Sequence, residues 1–309
     1  MNFINVKIIV ILKIFIISLI LLVFVEIILA NFIKQRLYKF DPTLGWDLKK
    51  NLKGVKRDSG GKKYEIFTNK FNMRSDGKKI LYNPCDFDFV ILGDSITFGE
   101  GIDIENRFDL LINKELKSIN FGVQGFSILQ SYLKQKKHIN QFNCEKPKKL
   151  IIVIYENDIN DALSPHTAYR YRPLLLNKKI HFPNNLYNSI HGTMRDLSYA
   201  YFLSNLVFIV FKFDKKKDYN IDNILPLLNE IQYVQEDTIH NEIYIFLHGF
   251  KKKIGNKILN NAVCEKANCF DTFISYRNNP QLYIQNDSHW NEKGHKAFSN
   301  FLIDNLKVK

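Results

Sequence analysis

The sequence predicts an α/β fold: a mostly parallel sheet covered by helices on both faces, carried behind one membrane-spanning helix. Three observations make the prediction. From Asp86 onward, short apolar runs that stop at Gly, Asn or Asp alternate with stretches of helical spacing, the pattern of strand–helix–strand units. Residues suited to chemistry fall just after those runs: Ser95 after the first, Gly125 after the second, Asn157 after the third. Ligands bind at that end of such sheets. Ahead of them, the first 33 residues are almost wholly apolar.

The leading segment "KIIVILKIFIISLILLVFVEIILANF" is broken only by Lys13 and Glu26 among charged residues after its first lysine. As a helix it reaches about the ~30 Å of a hydrocarbon core. A cleaved signal peptide is the rival reading, but Ile28-Leu29-Ala30 is a poor small-residue cleavage site. A retained anchor over 1–33 is therefore expected. Lys7 and Lys13 lie on one flank, with Lys34, Arg36 and Lys39 on the other. That count slightly opposes an outside C-terminal domain, although long domains translocate regardless of charge.

Residues 34–84 form a basic lead-in of short strands and turns. Between Lys34 and Lys79 there are 14 basic and five acidic residues, within a chain of net charge +13. This surface suits anionic lipid headgroups. Nucleic acid is not an expected partner: there is no zinc spacing, RNA-binding signature or basic helix with interleaved aromatics.

Residues 85–309 carry the alternating pattern. "DFDFVILGD" reads as a buried strand stopping at a turn, "RFDLLINKELKS" as helix, "SINFGVQG" as a second strand. "SILQSYLKQKKHINQF" is helical, and "KKLIIVIYEND" is a strong central strand. An insertion occupies about 162–218. Within it "LSYAYFLSNLVFIVFKF", Leu197 to Phe213, is apolar enough for a second span of marginal length. Such a span would put Ser95 and His289 on opposite sides of the membrane. If the two share a site, this stretch packs on the domain or lies along the membrane surface. "IDNILPLLNEIQYVQED" then reads as an amphipathic helix with Pro226 near its start, "NEIYIFLHG" as a strand and "CFDTFIS" as a weaker one. The last helix spaces Ala297, Phe298, Phe301, Leu302 and Leu306 on one face.

Four cysteines are present: Cys85, Cys144, Cys264 and Cys269. None forms a CxxC. Cys264 and Cys269 are spaced to close a short loop outside the cytosol, but pairing is not deducible from spacing, and buried thiols fit equally well.

Alone, "GDSITFG", Gly93 to Gly99, is a weak signal, because serines after strands are usually helix caps. It is not a Gly-x-Ser-x-Gly elbow. The signal strengthens with "NFGVQGFS" (Asn120 to Ser127), "YEND" (Tyr155 to Asp158) and "NDSHWNEKGH" (Asn286 to His295). These four blocks, in this order, resemble the GDSL/SGNH hydrolase family over roughly Asp86 to the C-terminus. "DPTLGWDLKKN" and "TNKFNMRSDGKK" are also similar to the lead-in of membrane-tethered bacterial members.

The resemblance implies a three-layer α/β/α sandwich with a flavodoxin-like sheet. It also implies a serine esterase acting on an acyl or acetyl ester of a glycan or lipid. Ser95 would attack the carbonyl, and His289 would take its proton and return it to the leaving alcohol. The backbone N–H groups of Ser95 and Gly125 and the side-chain amide of Asn157 would hold the oxyanion. No cofactor is implied, and no metal site has defensible ligand spacing. An O-acyltransferase would use the same acyl-enzyme, and a tethered binding protein would keep the fold without the chemistry. On family grounds the domain is expected outside the cytoplasm, as a single-pass membrane protein.

Several positions have a structural reading. Gly122 reads as a close-packing residue, Asp94 as a turn-former, Asp158 as a brace for the Asn157 loop and His295 as a structural helix residue. His248 ends a strand without an evident partner. Two departures from the family pattern stand out. Tyr155 sits where the third block usually has glycine, which reshapes the pocket beside the oxyanion donors. The residue three before His289 is Asn286 rather than an aspartate. Asp287, two before, is the expected acid of the triad.

Overall fold

The structure, a computed structural model, describes residues 3–32, 36–77, 83–112, 117–145, 149–164, 166–167, 170–201, 203, 224–238, 242–272 and 279–306. It opens with a long helix α1 (Phe3–Phe32). The 22-residue stretch Ile8–Leu29 is long and apolar enough to cross a membrane, about 33 Å as a helix, and none of it is buried against the protein.

The lead-in folds as two small antiparallel sheets. β1 (Tyr38–Asp41) pairs with β2 (Gly45–Leu48), and β3 (Lys53–Arg57), β4 (Lys63–Thr68) and β5 (Arg74–Ser75) form the second. Leu44, Trp46, Leu48, Tyr64 and Ile66 bury their side chains against Phe98, Phe126, Leu129 and Leu133. The basic segment thus shares a core with the α/β part of the chain.

That part alternates as the sequence predicts: β6 (Phe89–Leu92), α2 (Ser95–Phe98), α3 (Phe108–Ile112), β7 (Ser118–Asn120), α4 (Ile128–Phe142), β8 (Lys149–Tyr155) and α5 (Asp158–Leu163). The described part of the insertion holds two hairpins, β9 (His166–Thr167) with β10 (Arg170–Tyr171) and β11 (Leu174–Leu176) with β12 (Lys179–His181), and then α6 (Leu186–Leu197). Of the apolar stretch Leu197 to Phe213, residues 204–213 lie outside the described residues. The chain closes with α7 (Leu225–Asp237), β13 (Glu242–His248), α8 (Lys252–Leu259), α9 (Ala262–Glu265), β14 (Asn268–Asp271) and α10 (Glu292–Asn305). Pro226 lies in the first turn of α7, where its missing N–H costs nothing.

Five strands form one parallel sheet in the order β14-β13-β8-β6-β7. Numbered among themselves along the chain, they run 2-1-3-4-5 from the β7 edge, the flavodoxin-like order. The order reverses between β6 and β8, which opens a crevice beyond their carboxyl ends.

Strand alternation makes the two flanking layers. Val90, Leu92, Ile152, Ile154, Ile245 and Leu247 face one side, against side chains of α4, α7 and α8 such as Ile128, Ile231 and Ile258. Phe89, Ile91, Ile151, Val153, Tyr244 and Phe246 face the other, against Phe108 and Ile112 of α3 and Phe298 and Leu302 of α10. Ile151 and Ile152 therefore anchor opposite layers, and truncating either to alanine would cost about 2–5 kcal/mol.

All four cysteines are paired. Cys85 bonds Cys144, tying the approach to β6 to the end of α4, and Cys264 bonds Cys269 across the α9–β14 turn, with Cα atoms 5.2 and 5.5 Å apart. The reading of buried, unpaired thiols is thereby corrected. Sequence spacing brought only the second pair into view, because 59 residues separate the first.

Candidate active site

The crevice is built from the ends of β6, β7 and β8 and the loop before α10. β6 ends at Gly93, where a Cβ would meet Thr97 Oγ1 at 2.0 Å and the Val153 carbonyl at 2.9 Å. Only glycine lets the chain turn this close to β8. Asp94 comes next, fully buried, and caps α2 by accepting from the Ile96 N–H at 3.0 Å. Burial raises its pKa. The turn-forming role read from the sequence is this cap, with one addition: its other oxygen lies 3.2 Å from Ser95 Oγ.

Ser95 is the first residue of α2. Its Oγ lies 2.8 Å from His289 Nε2, 194 residues along the chain. His289 Nδ1 is 2.6 Å from Asp287 Oδ1, and the same oxygen accepts from the His289 backbone N–H at 3.1 Å. With Nδ1–H donating to Asp287, Nε2 is left to accept from the serine hydroxyl. Burial pulls the Asp287 pKa upward, but the charge and hydrogen bonds of His289 outweigh it, and the carboxyl sits below its ordinary value. Asn286 adopts a left-handed backbone, φ 59°, and is exposed. It makes the turn that brings Asp287 under the ring.

The second and third blocks converge on the same crevice. Gly125 has φ 72°, a conformation that side chains resist. A Cβ there would lie 3.8 Å from Trp46 Cζ2, so the lead-in walls this side. Gly122 is the close-packing glycine: a Cβ would strike the Phe98 N at 2.7 Å. Asn157 caps α5 without a side-chain cap bond, its Oδ1 is buried with no hydrogen-bond partner, and its Nδ2 reaches Asp161 Oδ2 at 3.5 Å. Asp158 accepts from the Tyr155 N–H at 2.8 Å and so braces the Asn157 loop. Burial, with Asp94 and Asp161 nearby, holds its pKa well above the usual carboxylate range.

Tyr155 leans away onto the end of β13. Its ring stacks on His248 at 5.5 Å and covers Gly249, where a Cβ would meet Tyr155 Cε2 at 2.3 Å. Together with Tyr283, Gln285, Asn286 and Asp287 it lines an open cavity of about 710 Å³.

Four features escaped sequence reading. Arg74, inside the lead-in, is buried and donates to the carbonyls of Phe98 (3.1 Å), Gly99 and Ile102 (2.5 Å), which fixes the end of α2. Arg172, from the insertion, is fully buried, with Nη1 2.9 Å from Asp161 Oδ1 and its guanidinium over the Trp46 ring at 5.6 Å. His248 has partners after all: Trp290 Nε1–H donates to its Nε2 at 2.9 Å, and its Nδ1 lies 3.2 Å from Thr272 Oγ1. Burial lowers its pKa to about 3, so it is neutral and holds the residue beside His289. Glu230 is a buried acid that accepts from the Leu129 N–H at 3.3 Å. His295 stacks on Phe108 at 5.8 Å inside α10. Among the described residues no group of three or more His, Cys, Asp or Glu is arranged to hold a metal ion.

No protein-family model matches the chain, and no curated protein matches it. Among solved structures it is similar to a protein from Desulfitobacterium hafniense DCB-2 described as lipolytic and of the G-D-S-L family. The TM-score is 0.37 and the identity 14%, over 69% of this chain and 95% of that one. It is also similar to an acetyl xylan esterase from the rumen bacterium Butyrivibrio proteoclasticus. There the TM-score is 0.39 and the identity 13%, over 72% of this chain and 65% of that one.

Proposed function

We propose that the protein is a serine hydrolase that cleaves acyl esters on a glycan or lipid at a membrane surface. The observation that carries this reading is the continuous chain Ser95 Oγ–His289–Asp287, with links of 2.8 and 2.6 Å. A serine is a weak nucleophile unless a base stands within hydrogen-bond reach and a third group orients that base. As Ser95 Oγ attacks the ester carbonyl, its proton passes to His289 Nε2, and Asp287 balances the charge on the ring. The carbonyl oxygen gains charge and is met by the N–H groups of Ser95 and Gly125 and the amide of Asn157. The Asn157 amide faces Asp94 and, at 3.5 Å, Asp161, contacts that in this reading it exchanges for the oxyanion. The alcohol leaves with the proton from Nε2, and water repeats the sequence to release the acid.

In this reading residues 1–33 anchor the chain, 34–84 lead in, and 85–309 carry the chemistry on the outer side of the membrane. Two disulfides support that side, because reducing compartments do not keep them. The test is p-nitrophenyl acetate cleavage by the purified full chain in detergent. Ser95→Ala should lose at least ~10³-fold in kcat with an unchanged Tm. Undiminished turnover in that variant overturns the assignment.

A further inference from the structure

A helix on the surface of a soluble protein buries its apolar stripe and shows its polar face to water. α6 does the reverse. It turns Asn188, Gly192 and Arg195 inward, and Gly192 sits so close to β1 that a Cβ would meet Phe40 Cδ2 at 2.2 Å. Outward it presents Leu186, Ile190, Met194 and Leu197, which are 77, 55, 44 and 74% exposed. Their spacing of four, four and three residues puts all of them on one stripe.

The end of this helix is fastened to α1. Immediately after Leu197, the Ser198 hydroxyl donates to the Glu26 carboxylate. The Tyr199 and Ala200 N–H groups donate to it at 2.7 and 3.2 Å. Arg36 donates to the Arg195 carbonyl and lies over the Tyr199 ring at 3.9 Å, and Asp196 accepts from the Phe40 N–H. Glu26 is three residues from Leu29, the end of the apolar run, or about 5 Å along the helix axis. The carboxylate that receives the end of α6 therefore lies at the level where hydrocarbon gives way to headgroups.

We propose that α6 lies in the surface of the membrane that α1 enters, with Leu186, Ile190, Met194 and Leu197 in the acyl region. This rests on the reading of α1 as a retained anchor, and not on the hydrolase reading. An exposed apolar stripe continuous with a spanning helix fits a lipid surface. The hairpin before α6 adds exposed Leu176 and Phe182 together with exposed Lys178 and Lys179, the pairing of apolar and cationic side chains that anionic headgroups attract. The same insertion carries Arg172, paired with Asp161 beside Asn157, so one segment reaches from the membrane surface to the crevice.

The test uses the full chain in vesicles of phosphatidylcholine with phosphatidylglycerol. All four cysteines are in disulfides, so a single added cysteine takes a spin label selectively. Ile190→Cys and Leu197→Cys report on the stripe, Ile20→Cys on the anchor, and Asn184→Cys on an exposed polar neighbour. The expected result is higher accessibility to oxygen than to a water-soluble nickel chelate at 190 and 197, shallower than at 20, with the reverse at 184. Labels at 190 and 197 that read as aqueous while 20 reads as lipid overturn this inference alone. An aqueous reading at 20 overturns the anchor and the inference together. Labels shielded from both reagents at high protein density, and aqueous on dilution into excess lipid, assign the stripe to a second copy and also overturn it.

Discussion

His289 Nδ1 and Asp287 Oδ1 lie 2.6 Å apart, two residues from each other on one loop. The offset of two works because Asn286 turns the backbone into the left-handed region, so the next side chain comes under the ring. If Asp287 stabilises the imidazolium, Asp287→Asn should lower kcat by about 10³- to 10⁴-fold, since an amide offers no charge and favours the wrong tautomer. Asn286→Ala should change kcat by less than roughly tenfold, because that side chain makes a turn and not the relay. Steady-state kinetics on p-nitrophenyl acetate for the two variants separates the roles. Equal losses would reverse the assignment.

Trp290 is fully buried next to His289, and its indole N–H donates to His248 at 2.9 Å. This is a second hold on the loop, from the end of β13. His248→Leu should leave the indole N–H unsatisfied, at about 1–3 kcal/mol. It should also loosen the neighbouring imidazole, lowering kcat more than it raises KM. Thermal melts and kcat/KM measured together check this. A lower Tm with unchanged kcat would confine His248 to packing.

The legible parts of the sequence were those with short-range signals. β6, β8 and β13 announce themselves as apolar runs ending in turn residues, and the blocks that hold Ser95 and Asn157 lie where β6 and β8 stop. Asp287 was separable from Asn286 only by chemistry, since no periodicity fixes a loop. Arg74, Arg172 and the His248–Trp290 bond were not legible as site elements. Each acts through a partner at least 11 residues away: Arg74 on the Phe98 carbonyl, Arg172 on Asp161, Trp290 on His248. A lone buried arginine leaves no mark in a pattern of apolar spacing. The outward apolar face of α6 was not legible either, because residue spacing marks a stripe and not the side to which the fold turns it.

Glu230 gives the chain a pH dependence of definite sign. Burial pushes its carboxyl up to about 8, against the opposing Leu129 N–H bond and Arg172 charge, and Asp161 is pushed up to about 6 by burial despite Arg172. The folded chain then holds protons that the unfolded chain releases once the pH passes the ordinary carboxylate range. The contribution of these carboxyls to stability should fall as pH rises from about 5 to about 8, by on the order of 1.4 kcal/mol per unit for each such proton, while the lowered pKa values of His248 and His295 act with the opposite sign. Glu230→Gln should remove the share of that fall that Glu230 carries, leaving those of Asp161, Asp158 and Asp94, with the amide oxygen still able to accept from Leu129. Asp287 acts with the opposite sign and elsewhere: its lowered pKa gives stability above the ordinary value that is lost as pH drops through the folded one. Tm against pH for the two proteins checks the prediction, and parallel curves would refute it.

Arg172 and Asp161 form the buried ion pair that ties the insertion to α5, at 2.9 Å. Removing the cation alone leaves a carboxylate in a dry site, so Arg172→Met should destabilise the chain by about 3–5 kcal/mol. Asp161→Asn on top of it should recover part of that loss, because the charge that lacked a partner is gone. The double variant is therefore expected to be more stable than Arg172→Met. It should still turn over ester more slowly, since the Arg172 guanidinium no longer lies over the Trp46 ring that stands beside Gly125. A double-mutant cycle in urea, read beside kcat for each corner, distinguishes the two effects. Additive stabilities would mean that the pair is not coupled, and full activity in the double variant would detach the insertion from the crevice.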